Sequence, residues 1–561
     1  MTDIYLHGIE TIEKNNGPQP VATIDTGIIG LVGTAPNADA VAWPINTPVA
    51  VHGYQGEITN LGTTGTLVDA IEGIFDQATR ASQTIVVVRV NDDADPNIEM
   101  ANVLGNSLTK TGMHALLRSQ PELNLKPKLL IAPGFTSTRP SDGVGSVVVT
   151  AGGTGYPSGA TRVTASGDGT GFQATATVDA GVVTGITVTN PGYGYSTAPT
   201  LTVTGGGDGA TATAQVAGGV ITQILVTNGG ENYEGSPTVT ITDGTGSGAT
   251  ATAVVTNGAI TAINVTNGGT LYSGTPSVEI SNPVGSGATA TANLGYVANP
   301  VAVELLTVAN RLRAGVIVDG PNTTNEAAVS YRLDFNATRP MLIVDPHCKV
   351  SKNGSIVAQP VAARVAGLQA RVDYDEGFWV SPSNHVIEGI VGAARPIEHS
   401  LHDPSAESQY LNKNEVATIV RSPSGGYKLW GSRNPNSDGL NAFWSVRRAH
   451  DTIIESIELA HEPFIDKPFG LQVLLDIAET VNSALRRWQA LGATLGGRVW
   501  LDPSLNTKET WVSGHLYISY DAEAPAPIEH ITFMFSRNTG YYEVLADNVV
   551  REIERLSGRV L

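Results

Sequence analysis

Gly248-Ala-Thr-Ala-Thr-Ala-Val-Val-Thr-Asn-Gly-Ala-Ile-Thr-Ala-Ile-Asn-Val-Thr-Asn-Gly-Gly269 alternates Thr with Ala, Val or Ile on either side of an Asn-Gly step. Period-two alternation broken by Asn-Gly and Gly-Gly is the pattern of short strands joined by tight turns. Residues 250–255 and 260–266 read as two strands, and 238–242 as a third that precedes them. The unit recurs. Val149-Thr-Ala-Gly-Gly, Val188-Thr-Asn-Pro-Gly, Val226-Thr-Asn-Gly-Gly and Val265-Thr-Asn-Gly-Gly lie about 39 residues apart, each followed seven residues later by Tyr156, Tyr195, Tyr233 or Tyr272. A fixed period of this length marks a repeat architecture, here four copies over residues 146–295.

Each copy contains G-x-G-x-x-A, beginning at Gly169, Gly207, Gly246 and Gly285. A dinucleotide fingerprint needs a strand before it and a helix after it. Here an alternating Ala-Thr strand follows, so a turn is expected and not a phosphate cradle. Asp168, Asp208 and Asp243 sit near these glycines, but the nine-residue period of calcium-binding repeats is absent.

Outward from the repeats the pattern changes to apolar strands alternating with amphipathic helices. Before them, residues 67–79 read as a helix, 84–90 as a buried strand, 111–119 as a helix and 129–132 as a strand. After them come a helix at 300–312, a strand at 315–319, a helix at 325–335, a strand at 341–345 and a helix at 357–371. Four such strands predict an α/β sheet with parallel strands, interrupted by the repeats in one exposed loop. Farther on, 445–461 and 471–491 read as helices, the second closed by Gly492, and 498–501, 514–520 and 529–535 as strands before a terminal helix at 541–556. The expected fold is α/β plus α+β. Its domains are an N-terminal arm (1–25), an outer α/β domain in two parts (26–138 and 298–380), an all-β insert (139–297), a C-terminal inner domain (381–540) and a C-terminal helix or arm (541–561).

The chain has 561 residues, 41% hydrophobic and 15% charged, with a net charge of −19. That balance disfavours nucleic acid, which needs a basic face. The lone Cys348 allows no internal disulfide and suits a reducing compartment. No signal peptide is visible at the start and no apolar run reaches membrane length, which predicts a soluble protein made in the cytoplasm.

Candidate chemistry is thin. No G-x-S-x-G elbow or Walker A sequence occurs. His399, His402 and Asp403 have metal-like spacing, but Pro396 and Pro404 bracket them and favour a solvated loop. His385 with Glu388 is a weaker version. His347 and Cys348 follow a strand end where α/β proteins bind ligands, although Asp345-Pro346 also reads as a strand-ending turn. An enzyme would need a ligand at Asp319 or Asp345. The pairs Arg447-Arg448 and Arg486-Arg487 are either solvated helix faces or contacts for an acidic partner. No cofactor and no metal is expected.

Many separated segments resemble, in order, the tail sheath proteins of contractile bacteriophages. They include Asp25-Thr-Gly-Ile-Ile-Gly-Leu-Val-Gly33, Pro127-Lys-Leu-Leu-Ile-Ala-Pro-Gly134, Val318-Asp-Gly-Pro-Asn-Thr-Thr324, Gly377-Phe-Trp-Val-Ser-Pro-Ser-Asn384, Tyr427-Lys-Leu-Trp-Gly431 and Glu529-His-Ile-Thr-Phe533. The resemblance covers nearly everything except the repeats. It implies a non-enzymatic subunit that polymerises as stacked rings around a tail tube and contracts to drive the tube through the host envelope. It also implies a virion-tail location after assembly in the host cytoplasm. The implied partners are other copies, the tube, the baseplate and the tail terminator.

Terminal arms that extend a neighbour's sheet are implied as well. Tyr5, Leu6, Ile9 and Ile12 are the arm candidates, and Leu516, Ile518, Ile531 and Phe533 the strand-augmentation candidates. Arg447, Arg448, Arg486 and Arg487 are tube-contact candidates by position. The alternative is a carbohydrate-binding or adhesive protein acting through the repeat tyrosines.

Overall fold

The computed structural model describes residues 21–558 except 54–57, 59, 79–82, 142, 155, 157–160, 206–207, 218–219, 232–236, 243–246, 257–258, 271–275, 282–285 and 437–438. The arm candidates Tyr5, Leu6, Ile9 and Ile12, and the repeat residues Tyr233, Tyr272 and Asp243, lie outside the described residues.

Six strands form the central sheet: β1 (Ile29–Thr34), β2 (Pro48–His52), β3 (Thr84–Val90), β4 (Leu129–Ile131), β5 (Gly315–Asp319) and β6 (Met341–Val344). Their order is β6-β5-β4-β1-β3-β2, all parallel except β2 at the edge. Parallel strands are buried on both faces and so are apolar throughout. The side chains divide accordingly. Leu31, Ile85, Val87, Ile131, Ile317 and Leu342 pack with α1 (Thr66–Phe75) and α4 (Ala362–Asp375). Val32, Val86, Val88, Leu130, Val316 and Ile343 pack with α2 (Pro300–Leu312) and α3 (Asn325–Leu333). Helix α1 meets α4 closely because Gly367 has no Cβ; one added there would lie 2.7 Å from the Ile74 carbonyl oxygen.

The sequence reading needs four corrections here. Strand β1 was not counted among the four, yet it is central. Residues 357–359 are not the start of a helix: Ser355–Gln359 pairs with Cys348–Lys352 as a hairpin, and the helix begins at Ala362. Ile356 and Val357 favour a strand, and Pro360 forces the residue before it out of helical geometry. Residues 112–118 form a 3₁₀ turn, Gly112–Arg118, followed by the short helix Ser119–Leu123. The predicted helix 67–79 ends at Phe75.

Between β4 and α2 the chain is strand-rich, and the described residues there form two six-stranded sheets, one closed as a barrel. Its repeated element is a long antiparallel hairpin of a ten-residue and a twelve-residue strand: Thr170–Asp179 with Val182–Tyr193, Asp208–Ala217 with Val220–Glu231, and Ser247–Thr256 with Ala259–Thr270. A fourth ladder of the same form is made by the last and first strands, Ser286–Gly295 with Gly143–Thr154. All four ladders break register at two equivalent points, between Gln173 and Ala174 and between Thr177 and Val178 in the first copy. Cross-strand threonine pairs recur at one level: Thr150–Thr289 at 2.7 Å, Thr211–Thr227 at 2.8 Å and Thr250–Thr266 at 2.7 Å. The G-x-G-x-x-A segments run into strands, as expected.

Entry and exit lie side by side, with Gly143 opposite Gly295. Below them the Val297 N–H donates to the Pro140 carbonyl at 2.9 Å. Arg139 grips Asp334 on the α3 side through two 2.6 Å bonds and lies over the Tyr296 ring. Asn299 caps α2 and donates to the Phe135 and Thr138 carbonyls.

The C-terminal region is built on α5 (Trp444–His461) and α6 (Leu471–Leu491), packed through Val446, Ala449, Ile453, Ile457, Val481, Leu485 and Trp488. Gly492 ends α6 in the left-handed conformation. Val21 joins this core, and Thr23 accepts bonds from Arg487 and Trp488, so residues from 21 onward pack on the helices although the arm was drawn to 25. Residues 526–561 form a separate unit that carries the helix α7 (Tyr541–Ser557). Among the described residues no helix is long and apolar enough to cross a membrane.

Candidate functional site

Gly496–Trp500 and Ser519–Glu523 make a two-stranded antiparallel sheet beside α6. Gly497 permits the approach: a Cβ there would lie 2.7 Å from the Asp521 carbonyl oxygen and 3.0 Å from Leu485. Val499, Tyr520 and Ala522 face the helical core, while Arg498 pairs with Asp521 on the outer face at 3.0 Å. Among the described residues, each strand pairs only with the other. The outer edges are therefore open to another chain except at the Arg498 N–H, which donates to Asp521 Oδ1 at 2.9 Å.

The strands expected nearby are displaced. Gly514, Leu516 and Ile518 precede the strand, which starts at Ser519. Residues 529–535 carry no strand. A strand exists only where a ladder partner does, and residues 526–561 supply none for themselves. In that unit Phe533, Met534 and Phe535 are 88%, 95% and 90% exposed, and Ile528 and Ile531 are also exposed. Helix α7 is amphipathic and has no buried residue.

Beside the sheet runs an apolar groove of about 680 Å³ between α5, α6 and the approach to the second strand. Ile457, Phe464, Phe469, Leu474, Ile477 and Ile518 line it. No local pattern announces this groove. Its walls come from three segments brought together by packing.

The basic pairs divide between surface and core. Arg448 is buried, forms a two-point pair with Asp373 and donates to the Thr26 carbonyl, so it is a packing residue and is corrected as a tube contact. Arg447 is partly covered and bonds Asp451 and the Thr338 carbonyl. Arg486 is exposed beside Glu479, and the exposed Arg487 holds Thr23.

Most of the catalytic and metal candidates make structural contacts, while the buried Asp319 Oδ2 and His347 Nε2 have no hydrogen-bond partner among the described residues. His399 bonds Ser408 at 3.0 Å and packs edge-on to Trp430, its basicity lowered by burial. His402 meets Ser400, and Asp403 caps Ser405. His385 bonds Glu376, and the Glu388 N–H donates to Gln77. Asp319 accepts from the Val361 and Ala362 N–H groups at 2.6 and 2.8 Å, capping α4 from a neighbouring strand, and burial raises its pKa. Asp345 pairs with Arg395 and accepts from the Asn322 N–H. The backbone N–H of His347 donates to Asn322. Burial pushes the Cys348 thiol up to about 11. Among the described residues no group of three acidic, His or Cys side chains is placed to hold a metal.

Tyr156 and Tyr195 are buried and so are unavailable to stack on a sugar. Tyr195 fills the space left by Gly169, where a Cβ would lie 2.4 Å from the ring. Asp168 accepts from the Ser196 N–H.

Three family models match in order along the chain. They are the tail sheath protein Gp18 domain III N-terminal region at residues 26–90, the phage tail sheath protein central domain at 295–435 and the phage tail sheath C-terminal domain at 437–536. The tail sheath protein of Burkholderia phage BcepMu is 29% identical over 549 residues, covering 94% of this chain and 96% of its own. That of Escherichia phage P2 is 21% identical over 539 residues, with 94% of each covered. The contracted sheath of the PVC extracellular contractile injection system shares the fold, with a TM-score of 0.53 at 12% identity over 96% of this chain and all of that one. With sheath models matching on both sides of the repeats and relatives aligned along nearly the whole length, the chain belongs to the phage tail sheath family.

Proposed function

We propose that the chain is a structural sheath subunit that polymerises around a tail tube and contracts, with no catalytic role. The observation that carries this is the pairing of a demand with a supply. Residues 526–557 leave five large apolar side chains between 528 and 535 and a whole amphipathic helix uncovered. The sheet Gly496–Trp500/Ser519–Glu523 offers open edges that such a stretch can extend.

Ile531 and Phe533 belong to the donated strand, and Leu516 and Ile518 flank the accepting one. Residues 1–20 serve as a second arm. Shared strands keep neighbours joined while subunits rotate, and contraction needs no cofactor if the extended lattice is metastable. The four-repeat region is an inserted domain, and its paired entry and exit support that reading. The tube, baseplate and terminator are the further partners in a virion tail assembled in the host cytoplasm. Arg486 remains a tube-contact candidate.

Negative-stain microscopy tests this on the purified chain and on one ending at Pro525. The full chain gives rings or tubes, and the shortened chain stays dispersed. Tubes from the shortened chain, or dispersed monomers of the full one, overturn the reading.

A further inference from the structure

We infer that the groove beside α6 is the seat of α7 from a second copy of the chain. The inference rests on the sheath reading, but it concerns a helix-in-groove contact distinct from any added strand.

The helix presents one continuous apolar stripe. Tyr542, Leu545, Val549, Ile553 and Leu556 follow one another at intervals of three and four residues, the spacing that places them on one face. All five are about half exposed or more. Seventeen residues of helix are about 25 Å long. An uncovered stripe of that length is an interaction surface in a soluble protein.

The groove supplies the complement. Its walls are Ile457, Phe464, Phe469, Leu474, Ile477 and Ile518, and Phe469 stacks on Trp511 with ring centroids 5.7 Å apart. The rim carries Asp466 and Lys467, neither of which has an ion-pair partner among the described residues. The polar flanks of α7 carry both signs to meet them, Arg551 and Arg555 on one side and Glu543 and Glu554 on the other.

Chain continuity selects a second copy as the occupant. Ile518 and Tyr520 line the groove and run into the open strand Ser519–Glu523. A neighbour whose residues 529–535 add to that edge has only 536–540 left before α7 starts. Five residues span at most about 17 Å. The donated strand therefore delivers its helix to the groove beside it, and α7 acts as an anchor behind the shared ladder.

Mixed single-cysteine chains test the contact, since Cys348 is buried and does not compete. One full-length chain carries Leu474→Cys and the other Val549→Cys, and a short bis-maleimide is added during assembly. Cross-linked heterodimers that appear only in the mixture are expected. Cross-linking confined to the Leu474→Cys/Val549→Cys double variant within one chain overturns the inference, because the helix then folds back on its own subunit. Absence of any cross-link in samples that form tubes also overturns it, while leaving the sheath reading intact; absence of tubes strikes the sheath reading itself.

Ile553→Asp, on an exposed position, keeps the fold testable. It should abolish the cross-link and raise the concentration needed for assembly on the order of tenfold, as expected for one buried apolar anchor. Unchanged assembly by that variant counts against the seat.

Discussion

Arg448 and Asp373 face each other across the junction of the C-terminal helices with the α/β domain, both about 5% exposed, joined by bonds of 3.1 and 2.6 Å. Trp444 lies beneath the guanidinium, and its indole N–H donates to Gln369 on the same helix as Asp373. One turn of α5 thus fixes the relative position of two cores.

Breaking this pair from one side should cost far more than removing it whole. Arg448→Met leaves a buried carboxylate uncompensated, a loss of about 3–5 kcal/mol, whereas Arg448→Met/Asp373→Leu replaces both charges with apolar volume and should recover most of it. Thermal unfolding of the three proteins checks the order. A double variant no better than the single would show that the Thr26 contact, not the pair, carries the stability.

Excision of the repeats should succeed when the cut respects the neck. Joining residue 142 to residue 296 by a short Gly-Ser turn keeps Arg139 on Asp334 and Tyr296. The resulting chain should stay soluble and assemble. A cut that also removes Arg139 and Tyr296 should lower the melting temperature by several degrees, and equal stability of the two deletions would deny the latch.

Cys348 should be chemically silent in the folded chain. Its thiol is buried, donates to the Gln359 carbonyl and is held near 11, so thiolate is scarce at pH 8. A maleimide or disulfide reagent should label less than a few per cent of native protein over the time that labels all of the denatured protein. Rapid native labelling would mean that the Cys348–Lys352 hairpin opens.

Acid should weaken the junction through Glu455. Burial raises this carboxyl, but bonds from Lys126 and Lys128 outweigh that and hold it below its ordinary value of 4.5. A depressed acid contributes stability that is present above about pH 4.5 and lost as pH falls through the folded value. Glu455→Gln should therefore flatten the decline of melting temperature below pH 4.5. An unchanged slope would place the acid sensitivity elsewhere.

Elements with local signals on both ends were legible in the sequence. The range Pro300–Leu312 has Asn299 and a proline at its start, Leu471–Leu491 has Gly492 at its end, and Thr84–Val90 is an unbroken branched run. Strand β1 was not, because Gly30 and Gly33 interrupt it. Those glycines exist for packing: a Cβ at either would press on Leu130 or Thr66. The Arg447-Arg448 pair looked like one patch, yet successive helical residues point about 100° apart, and one went inward. The expected strand at 529–535 is absent, because these residues have no ladder partner among the described residues. Of the candidate site, the terminal helix was visible as a pattern, whereas 529–535 reads as a strand of the inner domain and the groove has no local signal, since its lining spans Ile457 to Tyr520.

The first and last strands of the repeat region pair with each other as its fourth ladder. A module sealed by its own ends emerges as two adjacent threads about one strand spacing, roughly 5 Å, apart. Any host loop whose ends are equally close can accept it without shifting the strands on either side. The repeats thus join the rest of the chain through one closely spaced pair of connections.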